Sequence, residues 1–148
     1  MIYLNQGEFN QPAAVCTRNA SLTGGTIYYL WHLYHKLSGK DYYMIPFRLQ
    51  PAVSYPPAYD VFCVSIDESI PQVLTGSSLC GQTNIHLIPG EYSLNIFQQL
   101  SQSNLDPENS SGIVYQTLVN VIGTNKNNPT TYSGGTDGIF IIYNPDND

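Results

Sequence analysis

Apolar and polar residues alternate at every second position through most of this chain. That period belongs to strands that bury one face. Ile2 to Asn5 reads as a short strand, and Ala13-Ala14-Val15-Cys16-Thr17 as a second, weaker one. Ile27 to His35 reads as a long strand between Gly24-Gly25 and Ser38-Gly39, with Ile27, Tyr29, Trp31 and Leu33 on one apolar face. Tyr42 to Arg48 returns after a short Gly-containing loop, so the two predict a hairpin. Pro46 lacks a donor N–H, which sets that strand at a sheet edge or breaks it there.

Gln50 to Ala58 carries Pro51, Pro56 and Pro57 and reads as a loop. Tyr59 to Ile66 is largely apolar on both faces, which predicts a central strand. Thr83 to Ile88 is expected to be a strand, with Ile85 and Leu87 on one side, and Pro89-Gly90 is the sharpest turn signal. After it Tyr92, Leu94 and Ile96 alternate with Glu91, Ser93, Asn95 and Phe97. Asn104 to Gly112, with Pro107, reads as a loop. Ile113 to Ile122 is the last strong strand, with Ile113, Tyr115, Thr117, Val119 and Val121 on one face. No helical periodicity outlasts a turn or two. Such a run of short strands with frequent turns predicts an all-β, antiparallel sandwich.

One local pattern sharpens this expectation. Tyr92 follows the Pro89-Gly90 turn and opens an alternating strand, which resembles the tyrosine corner of immunoglobulin-like folds. There the phenol O–H bonds back to nearby backbone. Read without the resemblance, Tyr92 is a half-buried aromatic. Trp31 suits the core Trp of such folds, although no disulfide pair is expected beside it. The sandwich is expected to span residues 1–123.

Beyond Ile122 the pattern changes. Residues 124–138 are polar and turn-rich and read as an extended arm. Ile139, Phe140, Ile141, Ile142 and Tyr143 then form an uncharged apolar run, ended by Asn144-Pro145. Two readings stand. The run folds back as the last strand of its own sheet, or it adds to a neighbour's sheet. An uncovered strand of this kind would aggregate. The expectation carried forward is that these five residues pack against another chain.

Composition narrows the function classes. The chain has 148 residues, long enough to bury a core as one domain. Five basic against eleven acidic residues give a net charge of −6. No basic grip on nucleic acid or on an anionic membrane is expected from that balance. No apolar run approaches the length of a membrane-spanning helix. The N-terminus lacks a basic segment and an apolar stretch of signal length, so synthesis in a cytoplasm is expected. Charged residues are 11% of the chain, against roughly 25% in an average domain. Asn and Gln together number 22 and Tyr 12. Protein interfaces share this depletion of charge and enrichment in Tyr. The surface is either that of an ordinary, weakly charged β domain or one mostly covered by permanent neighbours.

The side chains that carry chemistry are scattered. Cys16, Cys63 and Cys80 are odd in number and widely spaced, so neither a disulfide framework nor a zinc site is expected. Cys16 and Cys63 read as small buried hydrophobes and Cys80 as a loop residue, all in a reducing compartment. His32 and His35 fall on opposite faces of one strand, and His86 would have to join one of them to bind metal. Asp67-Glu68 and Asp106-Pro107-Glu108 read as turn residues. No nucleophile elbow, metalloprotease helix, phosphate loop or dinucleotide fingerprint occurs. The chain is therefore expected to be non-enzymatic, without metal or cofactor.

Several short stretches share a second resemblance. Ile2-Tyr3-Leu4-Asn5-Gln6-Gly7-Glu8-Phe9-Asn10 resembles the opening of small structural proteins of tailed phages infecting Bacteroidetes, including crAss-like phages. Ala14-Val15-Cys16-Thr17 and Ile27-Tyr28-Tyr29-Leu30-Trp31 resemble the next two strands of that family. Pro89 to Ser101 is similar to its Gly-x-Tyr strand, with Gln98 where the family often has Glu. The resemblance covers about residues 1–122 and leaves the arm outside. It implies an immunoglobulin-like sandwich in the virion, packed against capsid, portal, ring or tail subunits, as a homo-oligomer or multi-copy ring. A neck, ring or tail component is the first expectation. The alternatives are an auxiliary capsid (decoration) protein or a carbohydrate-binding module.

Overall fold

The computed structural model describes residues 1–16, 26–49, 59–75, 80 and 82–124. The strands are β1 (Ile2–Asn5), β2 (Glu8–Val15), β3 (Tyr28–His35), β4 (Asp41–Met44), β5 (Phe47–Leu49), β6 (Asp60–Ile66), β7 (Gly90–Gln99) and β8 (Ile113–Ile122). A 3₁₀ turn at Pro107–Asn109 interrupts the β7–β8 connection, its N-terminus capped by the Asp106 carboxylate. The strands form two sheets, in the orders β1-β8-β7-β3-β4 and β2-β6-β5.

The core lies between the sheets. Tyr29, Trp31 and Leu33 of β3 and Tyr92, Leu94 and Ile96 of β7 point at Phe62, Val64 and Ile66 of β6. The ring of Phe62 meets those of Trp31 and Tyr29 edge-on, with centroids 5.4 and 5.5 Å apart. Alternation along each strand produces this arrangement, because successive side chains leave opposite faces of a sheet.

Several sequence expectations need correction. The sandwich was expected to be wholly antiparallel, but β1 runs parallel to β8, with Ile2 opposite Val119 and Asn5 opposite Ile122. A parallel pair needs a long crossover. Here the whole intervening chain supplies it, so no local turn could announce the pairing. Tyr42 to Arg48 does not run as one strand: it breaks at Ile45-Pro46, one of the two outcomes that the missing Pro46 N–H allows, and β4 pairs with β3 in one sheet while β5 pairs with β6 in the other.

Thr83 to Ile88 is not a strand either. Only isolated bridges occur, from Asn84 to Ser65 and to Val73. The Asn84 side chain bonds backbone at Asp67, accepting from its N–H at 2.9 Å and donating to its carbonyl at 2.9 Å. A side chain that satisfies loop backbone in this way supports an irregular path. Ile85 and Leu87 are nevertheless core residues.

Two bulges reset the alternation. In β8 the register shifts between the pairs Ile96–Tyr115 and Phe97–Ile113, so Val114 is buried while Ile113 turns outward. In β2 the register shifts between Glu8 and Gln11, and Asn10 takes a positive φ of 54°. Gln11 holds this bend. Its side chain accepts from Asn5 N at 2.5 Å and donates to Asn5 O at 2.7 Å.

The cysteines also depart from expectation. Cys63 and Cys80 form a disulfide with their α-carbons 5.7 Å apart, and Cys16 is free. Cys63 points to the outer face of β6, opposite Phe62 and Val64, so the bond ties the loop of Cys80 over that face. The pairing spans 17 residues and brings together a strand and a loop. Spacing alone does not reveal such a pair.

Candidate functional site

Two regions stand out: the corner that opens β7 and the outer face of the five-stranded sheet. The corner forms because Pro89 stops the preceding segment and Gly90 turns the chain. Gly90 has a φ of +142°, a conformation that residues with a Cβ rarely take. Two positions later the Tyr92 ring is fully buried and its hydroxyl donates to Ile88 O at 2.6 Å. Burial pushes the Tyr92 phenol well above its ordinary range, and the neighbouring Tyr42 adds to the rise.

His35 completes the corner. It lies opposite Tyr92 in the β3–β7 register, with ring centroids 4.7 Å apart. Its Nδ1 is 2.7 Å from the Ser38 hydroxyl, while its Nε2 is buried without a hydrogen-bond partner. A Cβ on Gly90 would stand 2.4 Å from that nitrogen. Pro89 in turn packs on Gly123, where a Cβ would come within 2.9 Å of its Cγ. The corner therefore welds the ends of β3, β7 and β8 together. The Tyr92 and His35 side chains are buried there while Ser38, Ile88 and Pro89 are exposed, an arrangement that suits a structural role.

The outer face of the five-stranded sheet is polar with little free charge. It carries Tyr3 on β1, Leu118, Asn120 and Ile122 on β8, Ser93 and Asn95 on β7, Tyr34 on β3 and Tyr43 on β4. Gln116 Nε2 donates across the strands to Asn95 Oδ1 at 2.8 Å. Glu91 pairs with Lys36, and the Asp41 carboxylate accepts from the His32 ring Nε2 at 2.6 Å, the His32 ring stacking on Tyr43. Burial and the carboxylates of Asp41 and Asp106 raise the Tyr43 phenol above its ordinary range.

The histidines stay apart. His32 faces outward, His35 lies in the core, and His86 contacts Ile70 O at 2.8 Å. Among the described residues no group of three or more His, Cys, Asp or Glu side chains could hold a metal ion. Trp31 is fully buried, with Nε1 unpartnered. Ile139, Phe140, Ile141, Ile142 and Tyr143 lie outside the described residues. Sequence reasoning named Tyr92, Pro89 and Gly90 but missed His35. The only available signal was its place two residues beyond Leu33 on the apolar parity of β3. Comparison with protein-family models, curated proteins and solved structures finds no match for the chain.

Proposed function

We propose that this chain is an immunoglobulin-like, non-enzymatic subunit of a tailed-phage virion, in a neck, ring or tail position. The strand order supports the fold part of this reading. β8, β7, β3 and β4 stand where strands G, F, C and C′ stand in immunoglobulin domains, and β2, β6 and β5 where B, E and D stand. Tyr92 opens the strand in the F position and bonds back across the corner, and Trp31 fills the core from the C position. The Cys63–Cys80 bond departs from that pattern, since it ties a loop to one sheet instead of joining the two sheets.

The observation that carries the assembly part is the outer sheet face, where tyrosines, amides and aliphatic side chains replace free charges. Such a surface suits lasting contact with neighbours. The resemblance of residues 1–122 to small virion proteins points to the particle as the place of assembly. Quantitative mass spectrometry of purified particles tests the reading. About six or twelve copies per particle would fit a ring or tail position. Hundreds of copies would favour the auxiliary capsid alternative, and absence from particles would overturn the virion role. The carbohydrate-binding alternative loses its best stacking residue, because Trp31 is buried in the core.

A further inference from the structure

Sheet β2-β6-β5 is shorter by two strands than the sheet it covers. Phe62 of β6 sits over Tyr29 and Trp31 of β3. Because β5 follows β4 after only two residues, it lies toward β4, and β2, which follows β1 after two residues, touches β1. The outer edge of β2 therefore lies on the β1 side of the sandwich. On that flank Ile2, Tyr115 and Thr117 share the inward face with Leu4, Val119 and Val121, yet they are only half-buried. Among the described residues no strand pairs with the outer edge of β2.

That edge keeps one backbone donor for an added strand, at Ala14, while Pro12 offers only its carbonyl. Pro12 sits within an unbroken register from Gln11 to Val15. A proline fits a ladder only where its nitrogen faces away from the partner strand. Residues of the same parity share that orientation, so the N–H and C=O of Ala14 face outward too. Ala14 is exposed.

We infer that the outer edge of β2 accepts Ile139–Tyr143 from a second copy of this chain as an added strand. The inference rests on the assembly role proposed above and names its acceptor. Thr124 leaves β8 beside the β1–β2 turn, its Cγ2 3.0 Å from where a Cβ on Gly7 would stand. A strand returning to its own β2 would need only a short connection, typically about 2–6 residues. Residues 125–138 are far more than that, and at about 3.3 Å per residue they reach roughly 45 Å when extended. Their polar, Gly- and Asn-rich composition suits a spacer between bodies. In an added strand Ile139, Ile141 and Tyr143 face one way and Phe140 and Ile142 the other, so either set covers Ile2, Tyr115 and Thr117 with apolar surface. Backbone bonds to the edge supply affinity, and the alternate side chains supply register.

Mixing two full-length variants tests this. Ile141→Asp spoils the donor and keeps the edge, and Ala14→Pro removes an outward donor N–H from the edge and keeps the arm. Sedimentation velocity should show wild type assembled, each variant monomeric alone, and an equal mixture restored to a heterodimer, with Trp31 emission native throughout. In wild type the Ala14 amide should exchange with deuterium at least tenfold more slowly when assembled than when diluted to monomer. Variants that assemble like wild type, a mixture that stays monomeric, or an unchanged Ala14 amide would each overturn the inference. If Ala14→Pro loses native emission, the amide measurement alone decides. A wild type that stays monomeric at every concentration also overturns it, while the virion role is judged separately by copy number in particles.

Discussion

The buried Nε2 of His35 occupies the space in front of the Gly90 α-carbon, 2.4 Å from where a Cβ would stand. The His35 ring cannot swing aside freely. Ser38 holds its Nδ1 at 2.7 Å and Tyr92 packs on its face. Gly90→Ala therefore meets both backbone strain at a φ of +142° and a blocked volume. The expected loss is roughly 2–5 kcal/mol, from strain and overpacking together. Denaturant unfolding checks it. The double variant His35→Ala with Gly90→Ala should lose less than the sum of the single losses, since removing the ring relieves the clash.

Tyr92→Phe should cost on the order of 1 kcal/mol, the net worth of one hydrogen bond. It should also alter the response to alkali. The folded-state phenol titrates above its unfolded value of 10.0 because burial disfavours the charged form. Its contribution is thus fully present below pH 10 and is lost as pH rises from there through the folded value. Urea unfolding between pH 9 and about 11 should show the variant losing stability less steeply than wild type. Parallel slopes would show that Tyr92 does not drive the alkaline loss.

Trp31 is the single tryptophan and fills the centre of the core against Phe62. Trp31→Ala should cost roughly 3–5 kcal/mol as a cavity mutation. Trp31→Phe should cost clearly less, because it keeps an aromatic ring and removes a buried N–H that has no partner. In wild type the fluorescence should shift to the red on unfolding and report the global transition. Equal losses for the two substitutions would argue against this packing.

The Cys63–Cys80 bond closes a loop of 17 residues. By the chain-entropy argument, Cys80→Ser should lower stability by about 3 kcal/mol. Alkylation followed by intact mass measurement tests the pairing directly. The unfolded, unreduced protein should take up one label at Cys16, and the reduced protein should take up labels at all three cysteines.

Alternation along the chain was enough to locate most strands. Ile27, Tyr29, Trp31 and Leu33 announced a core face, and the both-sided apolar pattern of Tyr59–Ile66 announced the central position of β6. Pro89-Gly90 and the phase of Tyr92 were equally plain, because turn chemistry and a period of two are properties of neighbouring residues. A locally ambiguous pattern misleads. Thr83–Ile88 carries strand-like alternation, but Asn84 bonds to loop backbone and the segment packs without a ladder.

What tertiary structure alone decided is which elements lie side by side. Alternation states which face of a strand is apolar and is silent about its neighbour. The parallel seating of β1 on β8, the change of sheet at Ile45-Pro46 and the bond between Cys63 and Cys80 all join residues whose sequence neighbours predict no contact. The two bulges belong here as well, since one extra residue in β8 sends Val114 inward and Ile113 outward without altering the composition of the strand. His35 and Gly90 show the same division. Each residue is ordinary in its own segment, and only the antiparallel register of β3 with β7 sets the imidazole against the Gly90 α-carbon, where no Cβ stands in its way.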